Sequence, residues 1–174
     1  YISSSLNYLE FIIRNQRDYK KGKIKVLFAL HSEPESSNHP LSSDIGSQSI
    51  LLERLAQNEE LDILIREHPL MFDMDNANVI ASTDEPYINV VRDSHFRQII
   101  GQNQNVAYAI HNKNIINQIK EADIFVCLNG SLAFEALCFN VVTVVSKRSW
   151  VKGAPGTLTI DDINTNNIKR KMKE

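Results

Sequence analysis

The sequence has little that could cross-link the chain or hold a metal ion. It contains two cysteines, Cys127 and Cys138, and both lie among apolar residues. We therefore expect two buried thiols rather than a disulfide framework or a zinc site. No HExxH motif, paired CxxC or carboxylate cluster occurs, which argues against any metal centre.

Several common catalytic loops are absent as well. No Walker loop and no GxGxxG sequence follows a strand-like segment, so neither a P-loop NTPase nor a dinucleotide oxidoreductase is expected. The GxSxG elbow of a serine hydrolase does not appear either.

The chain also lacks a large charge excess and long apolar runs. Its formal net charge is −2, which gives no electrostatic reason to bind nucleic acid. No apolar run approaches the length of a membrane span, and we expect no signal peptide within these residues. The length of 174 residues suits one domain with a full core. Because the chain starts at Tyr1 without an initiator Met, we expect a piece of a longer protein.

What the sequence does contain is a regular alternation of apolar strands and amphipathic helices. The strand-like runs are residues 24–30, 61–65, 106–110, 124–128, 141–145 and 157–160. Helices are predicted over 5–20, from Ser43 or Asp44 to Ala56, from Pro86 to Gly101, over 112–121 and 132–138, and from Asp161 onward. This alternation predicts a doubly wound, Rossmann-like parallel α/β sheet sandwiched by helices. We predict a leading helix and linker over 1–23 and a single domain over 24–174.

Residues 124–139 carry the clearest candidate site. They predict a buried strand, the polar turn Asn129-Gly130-Ser131, and a helix. The N–H groups of the first helical turn and the Ser131 hydroxyl could bind an anion, while Glu135, four residues on, could take ligand hydroxyls. A nucleotide or nucleotide sugar offers both kinds of group. The same tripeptide also occurs as ordinary cap and turn chemistry, so that alternative stays open.

Polar residues follow the other predicted strands too. They are His31–Glu35, His68-Pro69, His111 and Lys147-Arg148. Parallel α/β sheets bind ligands at the carboxyl ends of their strands, so we expect these residues to share one rim. His68, which Pro69 keeps extended, could bind a phosphate or only cap a loop.

The charged residues near this rim suggest different roles. Lys147, Arg148 and Lys152 could complement a diphosphate or form a solvated face. Glu33 and Glu35 would repel a phosphate, and a solvated loop is the simpler interpretation of Glu33. Glu35 is retained only as a weak candidate for a catalytic carboxylate.

Three segments, taken in order, resemble a known family. They read LFALHSEPESS, then ILIREHP, then IKEADIFVCLNGSLAFEALCFNVVTVV, and cover roughly residues 24–156. They are similar to bacterial capsule and surface polysaccharide biosynthesis proteins, which are GT-B glycosyltransferases that include Kdo-transferase-like enzymes. The resemblance implies one half of a GT-B fold, namely the C-terminal half that binds the nucleotide sugar.

The resemblance also implies a ligand and its contacts. Related bacterial sialyltransferases use a His-Pro motif and a serine-rich turn on the nucleotide of a CMP-sugar, so a CMP-activated donor is expected. His68 and Ser131 would contact the donor phosphate, and Glu135 the ribose or base side. The expected nucleotide-sugar-binding set is His68, Asn129, Gly130, Ser131, Glu135 and Lys147. No metal or cofactor would be required.

In the full-length enzyme the sugar would pass to a polysaccharide or glycolipid acceptor held by another domain. This piece alone is therefore expected to be inactive. The expected location is the cytoplasm, with peripheral association at the inner face of the membrane. Two alternatives remain: a non-catalytic binding or assembly module, and a sugar-nucleotide epimerase. The epimerase would need paired carboxylates on the turn helix, where only Glu135 is present.

Overall fold

Short runs of β-branched and aromatic residues form one parallel sheet. The computed structural model describes residues 2–31, 47–69, 92 and 94–173. Its strands are β1 Ile24–Ala29, β2 Leu61–Arg66, β3 Val106–Tyr108, β4 Ile124–Val126, β5 Val142–Val145 and β6 Thr157–Thr159. They lie in the order β3-β2-β1-β4-β5-β6, and every neighbouring pair is parallel. The predicted Rossmann-like α/β sheet is confirmed.

Helices cover both faces of this sheet. They are α1 Ile2–Arg14, α2 Gln48–Ala56, α3 Ser94–Gln102, α4 Ile115–Glu121, α5 Leu132–Cys138 and α6 Thr165–Lys171, with a 3₁₀ turn over Ile160–Asp162. The core on one face includes side chains of α1, α2, α3 and α6. The core on the other face includes side chains of α4 and α5. Both faces of a doubly wound sheet are therefore buried, which explains why the strands read as continuous apolar runs.

Helix starts differ from the sequence prediction by a few residues, as at α2. The Ser47 backbone is extended, and its hydroxyl accepts a hydrogen bond from the Ile50 amide, so Ser47 caps α2 instead of Ser43 or Asp44. Helix α3 begins at Ser94. Its predicted start at Pro86 lies outside the described residues.

The first helix shares the core of the sheet. Tyr8 and Ile12 of α1 are buried there. The chain that follows pairs with the edge strand β3, because the Tyr108 amide donates to the Asn15 carbonyl at 2.9 Å and the Arg17 amide to the Tyr108 carbonyl at 3.1 Å. This segment therefore covers the outer edge of β3, which would otherwise expose unpaired backbone groups.

The two cysteine thiols differ in their exposure to solvent. Cys127 is buried, as predicted, but Cys138 is exposed. The prediction of a second buried thiol was wrong because the last turn of α5 directs Cys138 to solvent. Within the described ranges, no helix combines the length and apolar character that crossing a bilayer requires.

The sheet order creates a switch point beside β1. Strands β2 and β3 lie on one side of β1, and β4, β5 and β6 lie on the other. The connections that leave β1 and β4 therefore diverge, and a crevice opens at the carboxyl ends of these strands.

Candidate functional site

Alternation along the strands sends several polar side chains to one face of the sheet. Leu27 and Ala29 of β1 pack in the core beneath α4 and α5, as does Leu64 of β2. Successive side chains in a strand point to opposite faces. His31 lies two residues after Ala29, so it belongs to this same face of the sheet. Arg66 and His68 lie two and four residues after Leu64 and belong to it as well.

A pocket of about 410 Å³ lies at this end of the sheet. The described residues that line it are Ala29, Leu30, His31, Arg66, Glu67, His68, Pro69, Ile115, Cys127, Gly130, Ser131 and Leu132. They come from the carboxyl ends of β1, β2 and β4 and from the starts of α4 and α5. The pocket therefore sits at the switch point. Its wall combines apolar side chains, which suit a flat ring, with basic side chains, which suit an anion.

The structure brings together part of the set that the sequence predicted. His68, Gly130 and Ser131 line the pocket. The Asn129 side-chain oxygen accepts a hydrogen bond from the Ser146 hydroxyl at 2.9 Å, which ties the turn to the end of β5. Glu135 does not occur among the described lining residues. Glu35 lies outside the described residues.

Lys147 lies away from the pocket and has another partner. Its ammonium forms an ion pair with the Asp161 carboxylate, on the 3₁₀ turn after β6. Lys147 follows β5, which is one strand farther from the switch point than β4. It is not among the described residues that line the pocket.

The backbone and side chain of Ser131 test the alternative that this residue is an ordinary helix cap. Its backbone is already helical, with φ −60° and ψ −28°, and its side chain makes no capping hydrogen bond. A serine that serves only as a cap has an extended backbone and a bound hydroxyl. This geometry argues against an ordinary capping role for Ser131, which lines the pocket.

His31 is a lining residue that the sequence placed on the rim but did not select. It is 6% exposed. Its Nε2 lies 3.8 Å from the Cys127 sulfur and accepts a hydrogen bond of 3.4 Å from the Asn129 amide. A Cβ atom on Gly130 would lie 3.1 Å from His31 Cε1 and 2.9 Å from Cys127 Sγ. Only glycine lets the turn approach these two side chains so closely.

The backbone of His31 is held from two sides. Its amide donates to Gln48 Oε1 at 2.7 Å, and its carbonyl accepts from Gln48 Nε2 at 3.2 Å. The same carbonyl accepts a 2.7 Å hydrogen bond from Arg92 Nη2. These bonds fix the segment that carries the imidazole.

A buried ion pair joins Glu67, just after β2, to Arg92, just before α3. Arg92 Nη2 lies 2.6 Å from Glu67 Oε1, and Arg92 Nε lies 3.2 Å from Oε2. Glu67 also accepts from the Tyr8 hydroxyl at 2.7 Å and from the His68 amide at 2.9 Å. Burial and the Glu67 charge raise the pKa of Tyr8 far above its usual range, so Tyr8 stays protonated and donates. This cluster holds the His31 and His68 segments together.

Arg66 is a second lining residue that the sequence did not select. Its Nη1 donates to the carbonyls of Ile110 and His111, at 3.3 and 2.5 Å. Burial lowers the pKa of the guanidinium, which nevertheless stays charged at neutral pH. Burial and the Arg66 charge lower the pKa of His111, against an opposing effect of Glu67. His111 is therefore neutral at pH 7, and Arg66 carries the positive charge here.

No group of three or more histidine, cysteine, aspartate or glutamate residues within the described ranges is placed to hold a metal ion.

No family model and no curated protein matches the sequence significantly. Two solved structures from Thermosulfurimonas dismutans are similar to the chain. KpsC, beta Kdo 2,7 transferase, has a TM-score of 0.55 and 17% identity, and the match covers 91% of this chain and 46% of that chain. KpsC, beta Kdo 2,4 transferase, has a TM-score of 0.51 and 13% identity, with 91% and 48% covered.

These similarities establish the fold. The chain spans less than half the length of each KpsC chain that it matches. Both neighbours are glycosyltransferases by name, so the chain has the fold of one part of a glycosyltransferase, consistent with one half of a GT-B enzyme.

Proposed function

We propose that this chain is the nucleotide-sugar-binding half of a glycosyltransferase that builds capsule or surface polysaccharide, and that its donor is a CMP-activated sugar. The observation that carries the proposal is the pocket at the switch point of the sheet. His68, Gly130 and Ser131, expected on the nucleotide from the sequence, line it together. The likeness to KpsC supports the transferase class through the fold alone.

The pocket has the chemistry that a nucleoside phosphate needs. Leu30, Ile115 and Leu132 offer an apolar wall for a base or sugar ring, while His68 and Ser131 offer polar groups for a phosphate. During transfer, negative charge would build on the departing phosphate. Donors already placed in the pocket would stabilise that charge without reorganising.

The acceptor and the general base are proposed to come from a facing domain. Among the described lining residues, Glu67 supplies the only carboxylate, and it is engaged by Arg92, Tyr8 and the His68 amide. A carboxylate held in this way is poorly placed to take a proton from an acceptor hydroxyl. Polysaccharide or glycolipid acceptors, and a cytoplasmic position at the membrane, belong to this same proposal.

The nucleotide preference can be measured by titration calorimetry on the chain itself. We expect CMP and CDP to bind more tightly than UDP or GDP. Tighter binding of UDP would assign the pocket to another donor class. No binding of any nucleotide would overturn the proposal and favour a binding or assembly module of the same fold.

Replacing His68 with alanine should weaken CMP binding and leave the melting temperature nearly unchanged. One lost hydrogen bond to a charged group costs about 1.5–3 kcal/mol, which corresponds to roughly 10- to 150-fold in affinity. His95→Ala is the matched control, because His95 is exposed on α3 and pairs with Glu53 at 3.5 Å. A loss of fold stability with unchanged affinity would show that His68 only holds its loop.

A further inference from the structure

A phosphate in the pocket would be stabilised by a cation, and Lys147, which the sequence predicted as a ligand contact, does not occur among the described lining residues. Lys147 is paired with Asp161. Among the described lining residues, Arg66 is the one side chain that stays positively charged at all physiological pH values. The Glu67 carboxylate does not neutralise it, because Glu67 is bound to Arg92.

The hydrogen bonds of Arg66 leave part of its guanidinium for a ligand. Within the described residues, this guanidinium donates two hydrogen bonds, both from Nη1, to the carbonyls of Ile110 and His111. A guanidinium has three further N–H donors, on Nε and Nη2, in a planar fork that fits two phosphate oxygens. One nitrogen therefore fixes the group, and the remaining donors can serve the pocket.

The position of Arg66 matches that of the other proposed phosphate contact. His68 lies two residues along the chain and on the same face of the sheet, so the two side chains border the same space. Arg66 is also partly desolvated, which strengthens its attraction to an anion.

We propose that Arg66 binds the phosphate of the nucleotide, and that it supplies the positive charge that the sequence assigned to Lys147. The proposal rests on the proposed function and deepens it. It predicts that the contribution of Arg66 depends on a phosphate in the ligand and disappears for the bare nucleoside.

The test compares CMP, cytidine and inorganic pyrophosphate on Arg66→Gln, Arg66→Lys and Lys169→Gln by titration calorimetry. Arg66→Gln should weaken CMP binding about 10- to 100-fold and leave the affinity for cytidine unchanged. Arg66→Lys keeps the charge but loses the fork, so it should fall between the wild type and Arg66→Gln. Lys169→Gln is the matched control, because Lys169 is exposed and pairs with Glu60 at 3.0 Å, and this variant should bind CMP like the wild type.

The ratio of the CMP and cytidine affinities separates a phosphate contact from a structural role. If Arg66 only anchors β3 to β2, its loss would change both affinities alike and leave their ratio unchanged, which would overturn this inference but not the proposed function. If nucleotides fail to bind the wild type, the proposed function fails. Pyrophosphate binding lost in Arg66→Gln would then still support Arg66 as an anion site, whereas absence of pyrophosphate binding would overturn both.

Discussion

Replacing Arg92 with alanine should lower the free energy of unfolding by about 3–5 kcal/mol. The side chains of Arg92 and Glu67 are 5% and 1% exposed. Removing the guanidinium would leave the Glu67 carboxylate buried without its counter-charge, and the His31 carbonyl would lose a donor. This is the cost of an unpaired buried charge, and it is much larger than the net worth of an intact ion pair.

A surface ion pair supplies the matched control. Arg14 and Glu10 pair at 3.3 Å on α1, with side chains 78% and 64% exposed. Arg14→Ala should therefore cost no more than about 0.5 kcal/mol. Urea denaturation of both variants gives the comparison.

A double variant tests the cause of the loss. In Arg92→Leu with Glu67→Leu no charge is left buried, so much of the stability should return. The recovery should be incomplete, because the Tyr8 hydroxyl and the His68 amide would lose their acceptor. A loss below about 1 kcal/mol for Arg92→Ala would contradict a desolvated Glu67 carboxylate.

Replacing Gly130 with alanine should close the pocket and destabilise the turn. The added methyl would lie 2.9 Å from Cys127 Sγ and 3.1 Å from His31 Cε1, closer than carbon packs against either atom. His31 has little freedom to move, because Gln48 and Arg92 hold its backbone. We expect a loss of about 1–3 kcal/mol in stability, as for other overpacked sites, and loss of CMP binding.

Two further variants isolate the steric cause. Gly101 lies in α3 with no atom within 4 Å of an added Cβ, so Gly101→Ala should stabilise the chain by about 0.5–1 kcal/mol. Adding Cys127→Ala to Gly130→Ala removes the nearer of the two clashing atoms and should restore part of the stability. If Gly130→Ala alone keeps wild-type stability and CMP affinity, the close approach of the turn to His31 is wrong.

The sheet was predictable from the sequence, but its order was not. Each strand is a short apolar run bounded by polar residues, and the observed strands fall within the predicted runs to one or two residues. The pairing of β1 with both β2 and β4 depends on which face each connecting helix covers. That choice is made by packing over the whole sheet, and no local pattern reports it.

The position of the pocket at the carboxyl ends of the strands was predictable from the sequence, but the residues that line it were predictable only in part. The sequence placed His31, His68 and the turn before Leu132 at strand ends, and His31, His68, Gly130 and Ser131 line the pocket. The two-residue period of a strand would also have selected Arg66, because Arg66 lies two residues after Leu64 and therefore on the same face of the sheet. The strand-end rule also favoured Lys147, which does not occur among the described lining residues, because that rule does not measure distance from the switch point.

The Glu67–Arg92 pair had no signal in the sequence. The two residues lie 25 positions apart, and neither belongs to a helix or strand. Burying two opposite charges requires that the fold align them, and the sequence shows only two charged residues in polar surroundings. Such a contact is visible only once Arg92 has been placed beside the end of β2.

A ¹⁵N-resolved NMR titration of the chain with CMP shows whether the pocket at the switch point binds a nucleotide. We expect saturable amide shift changes concentrated at His31, His68, Gly130 and Ser131. The shifts of amides at the amino ends of the strands, such as Lys25 and Asp123, should not change because these residues lie at the opposite end of the strands. Saturable changes confined to that opposite end, or no changes at millimolar CMP, would rule out a nucleotide site at the switch point of this sheet.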